Sequence, residues 1–180
     1  MSVQGWPLDL DWVTPALAVG GRYPLEAAGY LARELRVGAV VDLRVEDCDD
    51  ERVLRAHGIE LLHLPTEDGH AVPPRMLDDG VRWVGARLDR GARVLVHCQH
   101  GVGRSALLAL CVLVERGERP MRALVIAKGA RGQISPSPEQ LEAYRAWLAR
   151  RAWPRGEVEI PAFQALALVV YPHLRELRGP

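Results

Sequence analysis

The stretch HCQHGVGRS, residues 97–105, puts a cysteine, two glycines and an arginine into one short loop. Val94, Leu95 and Val96 precede it, an apolar β-branched run that suits a buried strand. Ala106 to Glu115 follow it and suit a buried helix. Strand, tight turn and helix start together aim several backbone N–H groups at one point before the helix N-terminus, where the helix dipole favours negative charge. The loop is therefore expected to hold an anion, with a thiol at its base. Amide donors, a helix terminus and a guanidinium all lower a thiol pKa, which makes Cys98 the candidate nucleophile. Arg104 follows at a spacing that reaches the same anion, and its planar fork matches phosphate oxygens in pairs. Gln99, His100, Gly101, Val102 and Gly103 form the candidate phosphate cradle, with Gly101 and Gly103 freeing the backbone to turn its amides inward. Ser105 is placed to hydrogen-bond the sulfur, and His97 to hold the loop instead of acting as a base.

These residues have to be positioned by a scaffold, and the flanking pattern supplies one. Strands are expected at Leu17–Val19, Gly38–Leu43, Ile59–Leu64 and 93–96. Helices are expected over Pro24–Arg36, within DDERVLRAHG up to Gly58, and over Met76–Arg90, 103–116, Pro120–Ala130 and Glu139–Arg150. PTEDGHAVPP, residues 65–74, reads as a loop. The alternation gives an α/β fold, a mostly parallel central sheet flanked by helices on both faces. Ligands of such sheets bind beyond the C-terminal strand ends, which is where 97–105 falls. Residues 1–150 are expected to form the catalytic domain. Residues 151–180 are expected to be a helical extension, packed on the domain or at a dimer contact, with Pro172 breaking its helix.

His97, Cys98, Gly101, Arg104 and Ser105 together resemble the active-site motif of the cysteine-dependent protein tyrosine phosphatase superfamily, in its compact dual-specificity branch. The resemblance covers about 14–150. It implies a phosphatase that hydrolyses phosphate monoesters through a cysteinyl-phosphate intermediate, with no metal and no cofactor. It also implies a general acid about thirty residues before the cysteine, in a loop containing Pro and Asp. Pro65-Thr66-Glu67-Asp68 stands there, and Asp68 takes the acid's position beside Glu67. Arg131 and the run ISPSPEQL resemble the branch's loop-to-helix segment, with Ser137 where the family often has Asn, and Gln140 expected to pack there or to help polarise the site. The implied partner is a phosphorylated protein or a small phosphate monoester. Relatives that act on highly phosphorylated inositol lipids tend to carry Lys inside the loop, where this chain has Gln99, His100 and Val102. An inositol phosphate or phosphoinositide substrate is the alternative. A rhodanese-like sulfurtransferase and a non-catalytic phosphate-binding module are the alternatives of other classes.

Composition narrows the field further. A chain of 180 residues suits one domain with a core of its own. Lys plus Arg and Asp plus Glu are both 23, and this zero balance argues against a general nucleic-acid or membrane-surface binder. Lys128 is the only lysine, a bias towards Arg that hints at a GC-rich bacterial genome. Three irregularly spaced cysteines make neither a disulfide framework nor a zinc site, and His57, His63, His70 and His173 lack metal-ligand spacing. No secretory signal or bilayer-length apolar run is legible, so a reducing cytoplasm is expected. Arg44 either touches substrate or pairs with a neighbouring acid. Cys111 is expected in a helix core and Cys48 in a loop, while Trp6 and Trp12 are expected to staple the N-terminus down.

Overall fold

The computed structural model describes residues 8–153 and 158–176. Its centre is a five-stranded sheet in the order β1 (Leu10–Thr14), β2 (Leu17–Gly20), β5 (Arg93–His97), β3 (Val37–Arg44) and β4 (Glu60–Thr66). Only β1 runs antiparallel to its neighbour; β2, β5, β3 and β4 are mutually parallel. Val94, Leu95 and Val96 are buried because β5 is central and covered on both faces, the environment in which a parallel strand reads as an unbroken apolar run.

Two apolar layers sandwich the sheet. On one face α1 (Ala28–Arg33) and α2 (Glu51–Ala56) cover Ala18, Val40 and Leu95 with Leu31 and Leu54. On the other lie α3 (Pro74–Asp89), α4 (Arg104–Glu115), α5 (Pro120–Ala130) and α6 (Pro138–Arg150). Every residue of α4 from Arg104 to Val114 is buried, so it is the axis of this layer. Each fully buried Leu in it contributes about 1.5–3 kcal/mol through burial, which fixes the helix start against the sheet. The extension supplies α7 (Phe163–Val170) and α8 (His173–Glu176), and α7 packs against α5 and α6. The chain breaks between them at Pro172, as its missing N–H requires.

Several boundaries differ from the sequence reading. LDWVT forms β1, an edge strand that the short mixed pattern hid. Strand β4 continues through Pro65 and Thr66, so the acid-bearing loop starts at Glu67. Pro65 is tolerated because β4 is the other edge of the sheet, where a missing ladder donor costs little. The helix expected over Pro24–Arg36 is a 3-10 turn at Leu25–Ala27 followed by the short α1, and Arg36, with φ of 54°, turns the chain into β3. Trp12 packs beside the α1 layer with the Arg93 guanidinium 3.6 Å from its ring centre, whereas Trp6 lies outside the described residues. No helix among the described residues is long and apolar enough to cross a membrane.

Candidate active site

Parallel strands β5, β3 and β4 all end on one side of the sheet, and the candidate residues hang from those ends. Cys98 follows β5 directly, and its side chain is only 2% exposed. Its sulfur lies 3.3 Å from Ser105 Oγ and 3.3 Å from the Gly101 amide, which donates to it. Burial raises the thiol pKa, but the Ser105 hydroxyl and the amides of Ser105, His100 and Gly101 outweigh it, so the pKa falls below the ordinary value. The other two thiols go the opposite way. Burial and the carboxylates of Asp42 and Asp49 push Cys48 up, and full burial pushes Cys111 well up. Cys48 is exposed in its loop and Cys111 sits in the α4 core.

This contrast sets an expected result for thiol labelling. Near neutral pH iodoacetamide should alkylate Cys98 before Cys48, although Cys48 is the exposed one, and saturating phosphate should slow the reaction. Peptide mapping of the modified chain checks it, and faster modification of Cys48 would contradict the thiolate assignment.

The loop's glycines serve different needs. Gly101 has φ of 65°, and a Cβ there would lie 2.4 Å from the Gly20 carbonyl carbon. Gly103 has an ordinary φ of −119°, so conformational freedom is not its purpose. A Cβ there would meet Gln140 Oε1 at 2.4 Å, so Gly103 is needed for space. Behind the loop, buried Arg131 donates from Nε to the Gly101 carbonyl at 2.8 Å and from a terminal nitrogen to the His100 carbonyl at 3.1 Å. The same guanidinium pairs with Asp9 and Asp11 at 2.8 Å each, which ties the loop to the first strand. His97 is fully buried, and its Nε2 is 2.9 Å from Asp49. Asp49 also accepts from Tyr23 and Arg44, so His97 anchors the segment after β3. Arg44 is fully engaged by Asp42, Asp47 and Asp49, which settles its role as an ion-pair partner.

Arg104 opens α4 with no exposure, and its two terminal nitrogens each donate to Glu46 at 2.8 Å. One of them also donates to the Thr66 carbonyl at 2.8 Å, and the other is 3.2 Å from Asp68. Nε of Arg104 is buried without a hydrogen-bond partner. The hydrogen bond from Arg104, helped by its charge, pulls the Glu46 carboxyl down to about 2. Glu46 was not singled out in the sequence, because VEDCDD holds several acids and nothing local says which one turns towards Arg104.

Asp68 is 65% exposed in its side chain and lines the same cleft as Cys98. Glu67 is directed instead towards His70, at 3.8 Å. Residues 69–71 are pinned on the start of α6. Ser137 Oγ donates to the Gly69 carbonyl at 2.6 Å, Gln140 Nε2 donates to the His70 carbonyl at 2.9 Å, and the Ala71 amide donates to Glu139 at 2.9 Å. Ser137 and Gln140 also close a capping box at the α6 start, so both polar ends of the Gln140 amide are used structurally.

A parallel sheet whose central strand runs into a His-Cys-x5-Arg-Ser loop and a buried helix is the architecture of the cysteine-dependent protein tyrosine phosphatase superfamily. Residues 26–148 match the family described as dual specificity phosphatase, catalytic domain, and the chain belongs to that family. Protein tyrosine phosphatase type IVA 3 of Mus musculus is 33% identical over 115 residues, covering 61% of this chain and 66% of that protein. The match thus spans just under two thirds of that relative's length. Dual specificity protein phosphatase 2 of Mus musculus is 34% identical over 76 residues, covering 41% of this chain and 24% of that protein. Among solved structures, Tk-PTP in its active form superimposes with a TM-score of 0.73 at 27% identity, over 82% of this chain and 100% of that chain.

Proposed function

We propose that the protein is a metal-independent phosphatase that hydrolyses phosphate monoesters, of the dual-specificity or tyrosine phosphoprotein type, through a cysteinyl-phosphate intermediate. The observation that carries this reading is Cys98 Sγ within 3.3 Å of both Ser105 Oγ and the Gly101 amide, with Arg104 3.2 Å from Asp68, which lines the same cleft as Cys98. In this reading the Cys98 thiolate attacks phosphorus, the S–P bond forms, and the P–O bond to the leaving group breaks. The amides of Gln99, His100, Gly101, Val102 and Gly103 and the Arg104 guanidinium hold the equatorial oxygens, with the unpartnered Nε as the free donor. Asp68 gives its proton to the leaving oxygen, then takes one from the water that cleaves the S–P bond. Ser105 stabilises the sulfur anion as it returns.

The loop carries no lysine, and Lys128 is spent on the Ile134 carbonyl, which favours a phosphoprotein or small phosphate monoester over a highly phosphorylated inositol lipid. A thiolate nucleophile needs a reducing compartment, so we place the protein in the cytoplasm, and the Arg bias suits a bacterial source. Hydrolysis of p-nitrophenyl phosphate that persists with chelator present and, in a separate chelator-free assay, is abolished by vanadate is the direct test. No hydrolysis together with sulfur transfer from thiosulfate would favour the rhodanese-like reading, and phosphate binding without turnover would favour the binding module.

Arg104→Lys is expected to lower kcat/KM on the order of 10²–10³-fold, the usual worth of a preorganised oxyanion donor. A point charge replaces a planar fork that is held in place by Glu46. Steady-state kinetics on the purified variant check this, and near-normal rates would remove Arg104 from the phosphoryl site.

A further inference from the structure

The matched family region ends at residue 148, yet residues 158–176 help to build the cleft over Cys98. Buried Leu166 and Val170 seat α7 on the domain. Arg145 Nε donates to the Pro161 carbonyl at 2.9 Å, at the start of the segment. At its far end Lys128 Nζ donates to the carbonyls of Ile134 and Val170 at 2.7 and 3.4 Å. Tyr171 donates its hydroxyl hydrogen to the Pro136 carbonyl. The receiving segment is itself tied to the cysteine loop, because the Ser135 amide donates to the Val102 carbonyl at 2.9 Å. A turn closed by the Leu174 amide on the Tyr171 carbonyl, at 3.0 Å, then folds Tyr171, His173 and Leu174 onto a cavity of about 550 Å³. Cys98, Val102 and Pro138 line the same cavity.

We propose that Tyr171, His173 and Leu174 form an aryl subsite, which binds the aromatic ring of an aryl phosphate ester whose phosphoryl group sits at Cys98. This deepens the phosphatase reading and rests on it. In-line attack places the leaving oxygen opposite the sulfur, so the ester group extends away from Cys98 into the cavity. There it meets Val102, Pro138, Tyr171 and Leu174, which line that cavity. An aromatic ring fills such a space by burying apolar area and by pairing with the Tyr171 ring. A short alkyl ester leaves the wall unfilled. The volume lies within the range of about 300–1,000 Å³ typical of small-molecule sites, well beyond the needs of the anion alone.

The test separates the subsite from the chemistry by using two ligands that cannot be hydrolysed. Calorimetric titration of the full chain with phenylphosphonate and with methylphosphonate compares a ring and a methyl on the same anionic head. The full chain is expected to bind phenylphosphonate at least about tenfold more tightly, and Leu174→Ala to cut that ratio about fivefold. His173→Ala, at an exposed position where folding is not at stake, is expected to cut it about twofold. Equal affinity for the two phosphonates, or a ratio unchanged in both variants, would overturn the subsite while leaving the phosphatase reading intact. Failure of both phosphonates to bind, together with no hydrolysis of p-nitrophenyl phosphate, would overturn both.

Discussion

Cys98→Ser is expected to lower turnover of p-nitrophenyl phosphate by at least about 10⁴-fold, consistent with the large losses seen when a nucleophile is removed. Inorganic phosphate binding is expected to persist. The surroundings lower the pKa of the thiol, whereas an alcohol in its place stays protonated at any working pH. The Arg104 fork, clamped by Glu46 and the Thr66 carbonyl, does not depend on sulfur. Turnover by single-cycle kinetics and phosphate affinity by calorimetry check the two halves. Residual hydrolysis within about tenfold of the native rate would show that another group attacks phosphorus.

Asp68→Ala is expected to cost on the order of 10²–10⁴-fold for an alkyl phosphate, the usual worth of general acid catalysis, and much less for p-nitrophenyl phosphate. A basic alkoxide needs the proton as the P–O bond breaks, while nitrophenolate leaves without it. The geometry favours Asp68 over its neighbour, because Asp68 faces Arg104 and the Cys98 cleft while Glu67 faces His70. Glu67→Ala serves as the comparison and should change the rates little. An equal loss on both esters, or a leaving-group dependence that follows Glu67, would reassign the acid.

Much of the candidate site is legible in local sequence because its residues lie close together in the chain. Cys98, Gly101, Arg104 and Ser105 share one loop, and the strand and helix that hold it are both apolar runs. What could not be read depends on contacts between distant segments. Glu46 meets Arg104 across 58 positions, and Arg131 reaches Asp9 across 122. No periodicity in either neighbourhood announces such pairs. β1 was missed for a related reason, since LDWVT alternates too briefly to stand out and gains its meaning only from pairing with β2. The capping box at Ser137 and Gln140 does have a local signal, the S-x-x-Q spacing. Pro65 misled because a proline inside a strand is legible only once the strand is known to be an edge.

The guanidinium of Arg131 joins two parts of the molecule that would otherwise open independently. An antiparallel edge strand is ordinarily among the first elements to fray. Here, releasing β1 also strips Asp9 and Asp11 from a buried cation and leaves that charge unpaired beneath the carbonyls of His100 and Gly101. A buried charge without a partner is costly, so opening of the strand is expected to be coupled to opening of the loop. Amide exchange in β1 is therefore expected to report whether the loop after Cys98 is held in place.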